Sequence, residues 1–333
     1  MSILLSIVVS LIFLIASPYI AKILNLYDIP DSNRKYHEKK TPLTGGIIIF
    51  FTLFFFISYE YGLENIFDNN NTISIKQNFL IFFGFIIFFF VGLLDDKINL
   101  NANLKIITFI LLIFIVILFD ENLLIFNIKL SFLNSTFSIG NFSYLWTIIC
   151  FLLFINAINM FDGINLQVGV YSLFCFLYIL VFFDLFNKIS IIMIISLIGF
   201  LYLNSMSKSF LGNGGSYALG FLISCMFIKI YNLENNVSAD EIVLIMIIPG
   251  IDLMRLFFYR LYNKRHPFSP DRKHLHHYLQ ERYNANKAFL ILFVLIWLPI
   301  VLGKVLNLFL PFIIFQIIFY FYLVYFFSKL KIN

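Results

Sequence analysis

Apolar positions in this chain run in long unbroken blocks separated by short polar connectors, and the blocks set the architecture. Eleven of them, at 3–20, 44–59, 77–94, 104–119, 144–160, 168–184, 189–206, 217–231, 241–258, 288–302 and 306–327, hold roughly 15 to 22 residues each, enough to cross a ~30 Å hydrocarbon core. Lipid offers the backbone no hydrogen-bond partners, so each block is predicted to be a helix. The fold expected is an all-α, polytopic membrane bundle of ten to eleven transmembrane helices. The whole chain, 1–333, reads as a single integral-membrane domain, with connectors near 22–43, 95–103, 161–167, 207–216 and 259–287 on one side. The first block is kept as a span, because no basic segment precedes it and no small-residue cleavage site ends it.

Composition agrees with this. Apolar residues make up 61% of the chain and Asp, Glu, Lys and Arg only 12%, too few to coat a soluble domain of this length. What charge there is sorts by side. With the N-terminus outside, only five of the 23 Lys and Arg residues, Lys76, Lys129, Lys188, Lys229 and Lys304, fall on the outer face. Basic loops stay in the cytoplasm, so the C-terminus and the five connectors are expected to be cytoplasmic. Cys150, Cys175 and Cys225 all lie in apolar blocks and suggest neither disulfides nor a thiolate metal site. No nucleic-acid partner is expected.

The unusual polar clusters all fall in those same five connectors. Gly92-Leu93-Leu94-Asp95-Asp96-Lys97 puts adjacent carboxylates at a helix end, where a hard cation such as Mg²⁺ could compensate them, although a solvated anionic helix end is the simpler alternative. In the third connector Asn156, Asn159 and Asp162 repeat every three residues, so they share one helix face near headgroup level. Either amide could instead bond a neighbouring helix. Gly212-Asn213-Gly214-Gly215 precedes a helix, where bare backbone and the positive helix end suit a phosphate, though glycines also serve simply to turn. The first connector, with Arg34, Lys35, His37, Lys39 and Lys40 before Pro42 and Gly45-Gly46, reads as a shaped basic loop or as a topology signal. Arg265, Arg272, Lys273, His274, His276 and His277 suit a diphosphate better than zinc, because Arg and Lys repel a dication and imidazolium would add charge-assisted bonds. Metal-binding carboxylates, phosphate-binding backbone and a cationic loop at a membrane surface together suit phosphoryl transfer to or from a lipid.

These motifs, in order, with Asp28-Ile29-Pro30, Arg34-Lys35, His37, Pro42, Gly45-Gly46, Asp95-Asp96, Asn156 through Gly163, Gly212 through Gly220, Pro249 with Asp252, and Pro267 through His277, resemble the polyprenyl-phosphate N-acetylhexosamine-1-phosphate transferases over essentially the whole chain. The Pro-Phe-Ser-Pro-Asp-Arg segment before His-Leu-His is similar to the WecA-like branch of that WecA/MraY-type family. The resemblance implies a multi-pass enzyme of the bacterial inner membrane with its active site on the cytoplasmic face. It would use Mg²⁺, with Mn²⁺ as a substitute, to transfer a sugar 1-phosphate from a UDP-N-acetylhexosamine to undecaprenyl phosphate. UMP would be released and a lipid-linked cell-surface glycan begun.

By the same resemblance Asp95, Asp96 and Asp162 are the expected catalytic residues, and Asp95, Asp96 and Asn213 the expected metal ligands. Substrate contacts are expected from Lys35, His37, Lys105, Asn156, Asn159, Asn165, Phe210, Gly214, Arg272, His274 and His276, with Phe210 on uracil and the histidines on the diphosphate. Asn165 and Asn213 stand where the family usually carries Asp. Asn213 matters more, because an amide offers Mg²⁺ an oxygen without charge. A silent homologue with a binding role is the alternative this raises. A lipid or glycan transporter is less well supported, since the spans carry little mid-helix charge. Membrane lipids are expected neighbours, and the oligomeric state is open between monomer and homodimer.

Overall fold

The computed structural model describes residues 1–30, 39–62, 75–133, 135–234, 236–267, 269 and 271–330. The expected Lys35 and His37 contacts lie outside them. All eleven predicted helices are present: α1 (Ser2–Leu24), α2 (Gly45–Gly62), α3 (Ile75–Ile98), α4 (Ala102–Phe119), α5 (Ser143–Phe161), α6 (Gln167–Phe182), α7 (Asn187–Ser205), α8 (Gly212–Leu233), α9 (Ala239–Tyr262), α11 (Ala285–Leu306) and α12 (Phe309–Leu330). A twelfth, α10 (Leu275–Arg282), forms inside the last basic connector. Its eight residues are too few and too polar to announce themselves by periodicity. Nine helices among the described residues are long and apolar enough to cross a membrane, and α2 and α6 add two shorter apolar ones, so the protein is a multi-pass membrane protein. Two small antiparallel ribbons complete the fold, β1 (Tyr27–Asp28) with β2 (Thr41–Pro42), and β3 (Asn127–Lys129) with β4 (Thr136–Ser138).

The bundle is organised around α8, which is enclosed on nearly every side, whereas α1 and α4 show most of their surface to lipid. Helices in lipid gain little from apolar burial against one another, so close contact depends on small residues. Glycines provide it here. A Cβ at Gly92 of α3 would lie 2.4 Å from the Asn213 carbonyl oxygen of α8, and one at Gly46 of α2 would lie 2.5 Å from the Gly215 nitrogen. Backbone therefore meets backbone at the end of the bundle that carries the polar motifs.

The opposite end of α8 is fixed by charge. Lys229 Nζ lies 2.7 Å from Asp120 Oδ2, both side chains fully buried, and Asp120 also accepts the Asn122 N–H just beyond α4. Nearby, Asn232 Nδ2 donates to the Asn122 and Leu124 carbonyls, and Asp240 at the start of α9 receives the Ser131 N–H from the turn after β3.

Candidate active site

The structure brings all five polar connectors together. The Phe210 N–H donates to the Pro42 carbonyl, and the Gly45 and Gly46 N–H groups donate to the Phe210 and Leu211 carbonyls, joining the first connector to the fourth. Asn204 Oδ1 accepts the Leu166 N–H at 2.6 Å while its Nδ2 reaches the Ser209 carbonyl, joining the third to the fourth. That bond accompanies a left-handed backbone at Leu166, φ 72°, an unusual conformation for leucine.

Asp95 and Asp96, adjacent at the end of α3, have different surroundings. Asp95 is buried and fully engaged. Lys105 Nζ spans its two oxygens at 3.0 and 3.2 Å, the Leu100 N–H donates at 2.9 Å, and Asn213 Nδ2 and Tyr217 Oη donate to Oδ2 at 2.9 and 3.0 Å. Among the described residues Asp96 receives only backbone, from the Asn213 N–H at 2.9 Å and the Gly214 N–H at 3.2 Å. Gly212, at φ 75°, could not carry a Cβ here, since one would lie 2.8 Å from Asp96 Oδ2. The glycine run thus cradles a carboxylate of its own chain, a use the sequence did not suggest.

Asn213 joins three helices. Its Nδ2 donates to Asp95, and its Oδ1 accepts from Asn159 Nδ2 at 2.7 Å, while Asn159 also donates to Ser216 Oγ. An aspartate at 213 would face Asp95 with like charge, and the amide replaces that repulsion with a hydrogen bond. Asn213 and Asp95 are the expected metal ligands that fit least well, because their oxygens already have partners. The Asn156 amide turns back to the Leu152 carbonyl of its own helix, and Asn165 donates to Ser207 Oγ across the third and fourth connectors.

Asp162 caps α5 and projects outward, with no side-chain hydrogen bond among the described residues. Surrounding protein, followed by the Asp96 and Asp28 charges, raises its carboxyl to about 7. Its side chain is exposed, so nearby negative charge is the cause that counts. Asp28, in β1, was not among the expected catalytic residues, yet its charge also reaches this cleft. Asp96 and Asp162 keep uncommitted lone pairs and like charge, and this hard-oxygen pair fits Mg²⁺, which retains waters and is typically completed by substrate phosphate.

The last connector packs against Gly163, beside Asp162. A Cβ at Gly163 would fall 1.9 Å from His276 Nε2, so only glycine permits this contact. His276 stacks on His274 at 5.2 Å, and His274 Nδ1 meets Asp252 Oδ2 at 2.6 Å. Asp252 also receives Tyr320 Oη at 2.6 Å and Arg255 Nη2 at 3.0 Å. The ligand atoms of Asp252, His274 and His276 lie within 4.8 Å of one another. A dication there would have to displace Arg255, so we read Asp252 as the group that orients His274 and leaves its Nε2 free to face a ligand. Burial, then His277 and His274, pushes the His276 imidazole well below its usual range. With these surroundings His276 is a neutral donor or acceptor, not the imidazolium expected from the sequence.

Arg260, almost wholly buried, holds this connector down. Its Nε donates to Asp271 Oδ2 at 2.8 Å and its Nη1 to the Pro267 carbonyl at 2.7 Å. Burial alone would raise the Asp271 carboxyl, but the Arg260 bond and charge, the Lys273 N–H and His274 together outweigh it and hold the group below the usual carboxylate range. Arg260→Ala is expected to speed trypsin cleavage at Lys264, Arg265 and Arg272 by about tenfold or more, because local opening governs proteolysis. An unchanged digestion rate would show that the segment is held by other contacts. Sequence reasoning missed Arg260, Tyr217, Ser216 and Tyr320, which sit in helices and gain their meaning only from partners far along the chain. Phe210 is half-buried beside these loops, and Arg272 lies at the start of the His-rich segment.

Residues 78–231, which include Asp95, Asp96, Asp162 and Asn213, match Glycosyl transferase family 4. The chain is 27% identical over 293 residues to the undecaprenyl-phosphate alpha-N-acetylglucosaminyl 1-phosphate transferase of Escherichia coli O157:H7, covering 84% of this chain and 76% of that one. The probable undecaprenyl-phosphate N-acetylglucosaminyl 1-phosphate transferase of Bacillus subtilis (strain 168) is 30% identical over 280 residues, covering 80% and 74%. An undecaprenyl-phosphate alpha-N-acetylglucosaminyl 1-phosphate transferase of Thermotoga maritima is 30% identical over 275 residues, covering 82% and 79%.

Proposed function

Because the chain belongs to the polyprenyl-phosphate sugar-1-phosphate transferases of glycosyl transferase family 4, we propose that it moves an N-acetylhexosamine 1-phosphate from a UDP-sugar to undecaprenyl phosphate on the cytoplasmic face of a bacterial inner membrane. A lipid phosphate oxygen forms the new bond to the sugar-bearing phosphorus, the bridging P–O bond to the uridine phosphate breaks, and UMP leaves. The observation that carries this reading is the meeting of Asp96, Asp162 and the His274–His276 pair, from three separate connectors, at one cleft.

A phosphate monoester is largely dianionic at neutral pH, so the acceptor does not need a strong base. Asp95, engaged by Lys105, Asn213, Tyr217 and the Leu100 N–H, is a positioning residue that fixes the Lys105 ammonium at the cleft. Asp96 and Asp162 would hold Mg²⁺, which when bound would neutralise the phosphates during transfer. His274 and His276 offer donors to the diphosphate, and Lys105 offers charge to the acceptor phosphate.

Purified protein given Mg²⁺, undecaprenyl phosphate and a mixture of UDP-N-acetylhexosamines should release UMP and yield a lipid-linked sugar phosphate of defined mass. Neither product across the mixture would refute the reading.

Asn213 favours one second reading, a silent homologue that binds the same ligands, and one variant separates the two. Asn213→Asp places a carboxylate against Asp95, so in EDTA it should lose about 1–3 kcal/mol of stability, the usual cost of leaving a buried polar group unsatisfied. Millimolar Mg²⁺ should restore the loss. Unchanged EDTA stability would mean the Asn213–Asp95 contact carries no weight, and turnover appearing only in the variant would establish the silent reading.

A further inference from the structure

A groove of about 850 Å³ lies between α1 and α7, away from the catalytic cleft, within the size range of ligand sites. Its wall is apolar, with Leu14, Ile15 and Pro18 from α1 and Leu203 and Met206 from the end of α7. Its rim is cationic, with Lys39, Lys40 and Lys208, and among the described residues no Asp or Glu lines it. The Lys40 ammonium is steadied 4.0 Å above the Tyr27 ring. The groove lies toward the ends of both helices, Leu24 and Ser205, which puts the lysines at headgroup depth and the trench among acyl chains.

We propose that this groove binds an anionic phospholipid of the surrounding leaflet, its phosphate on Lys40 and Lys208 and an acyl chain in the trench. A cationic rim above an apolar wall between transmembrane helices complements such a lipid in both charge and polarity. Asp95, Asp96, Asp162, Asn213 and His276 are all absent from its lining, so a phosphate seated here is apart from the reacting groups and belongs to a bystander lipid, not the acceptor. Lipid binding here is independent of the proposed transfer. Occupancy would nevertheless be felt nearby. Thr41, Pro42 and Ser17 line the groove, Pro42 accepts the Phe210 N–H, and Thr44 Oγ1 bonds both Ser17 and Ser209 hydroxyls. The lipid braces the turn that packs Leu43 against Gly212 beside Asp96.

The test uses the full chain in detergent, offered equal amounts of phosphatidylglycerol and phosphatidylcholine, with retained lipid weighed by native mass spectrometry. One phosphatidylglycerol should be retained at least tenfold over phosphatidylcholine. The Lys40→Glu/Lys208→Glu double variant should abolish the preference. Met206→Trp, which fills the trench without altering charge, should expel the lipid, and Lys287→Glu on α11 should have no effect. Equal retention of both lipids overturns the proposal, as does a preference that survives the double variant. Displacement by inorganic phosphate would reveal a bare anion site, and displacement by lower concentrations of polyprenyl phosphate would make the groove the acceptor's; either result also overturns it.

Discussion

Asp162→Asn is expected to lower UMP release on the order of a thousandfold while leaving the purified protein as stable as before. Its carboxyl sits outside α5, exposed and without a side-chain hydrogen bond among the described residues, so an amide of the same shape removes no fold-stabilising contact. What disappears is negative charge next to Asp96, at the point where phosphate and a divalent cation would meet. Asp95→Asn provides the contrast. It breaks the Lys105 pair, so it should lower stability and turnover together. Turnover of Asp162→Asn within about threefold of the parent, measured by UMP release at saturating Mg²⁺, would remove Asp162 from the reaction.

The largest loss of stability is expected from Lys229→Met. The Asp120–Lys229 pair is fully buried at 2.7 Å, and removing the ammonium strands a carboxylate in an apolar setting. Breaking a buried pair from one side typically costs about 3–5 kcal/mol, more than the pair itself contributes. The double variant Asp120→Asn/Lys229→Met should recover most of that loss, because an amide keeps the bond to the Asn122 N–H without needing a counter-ion. Detergent-resistant unfolding curves for parent, single and double variants provide the measurement. A single variant as stable as the parent, or a double variant no better than the single, would contradict the assignment.

The spans were legible because lipid demands long apolar helices, and length alone separates those from connectors. The eight-residue α10 was not, since contacts with α11 and α12 hold it in place, not its own periodicity. At the site, motif chemistry pointed to Asp95, Asp96, Asp162 and the histidines, and the structure gathers Asp96, Asp162 and His276 at one cleft. Motif chemistry could not show that Lys105 lies on Asp95, because two residues ten apart on different helices meet only through the turn at 99–101. Nor could it show that Asn213 donates to Asp95. The residue type raised doubt about metal binding, and only geometry reveals that the amide does what a counter-ion would otherwise do. Arg260 looked like one more topology-setting cation until its buried bonds to Asp271 and Pro267 appeared.

With the Asn213 network at one end and the Lys229 pair at the other, α8 is pinned like a strut across the bilayer. Changes in bilayer thickness must then be absorbed by the loosely enclosed α1, α4 and α12, through tilt at the rim, while the Asp95–Asn213 end keeps a fixed height above the hydrocarbon.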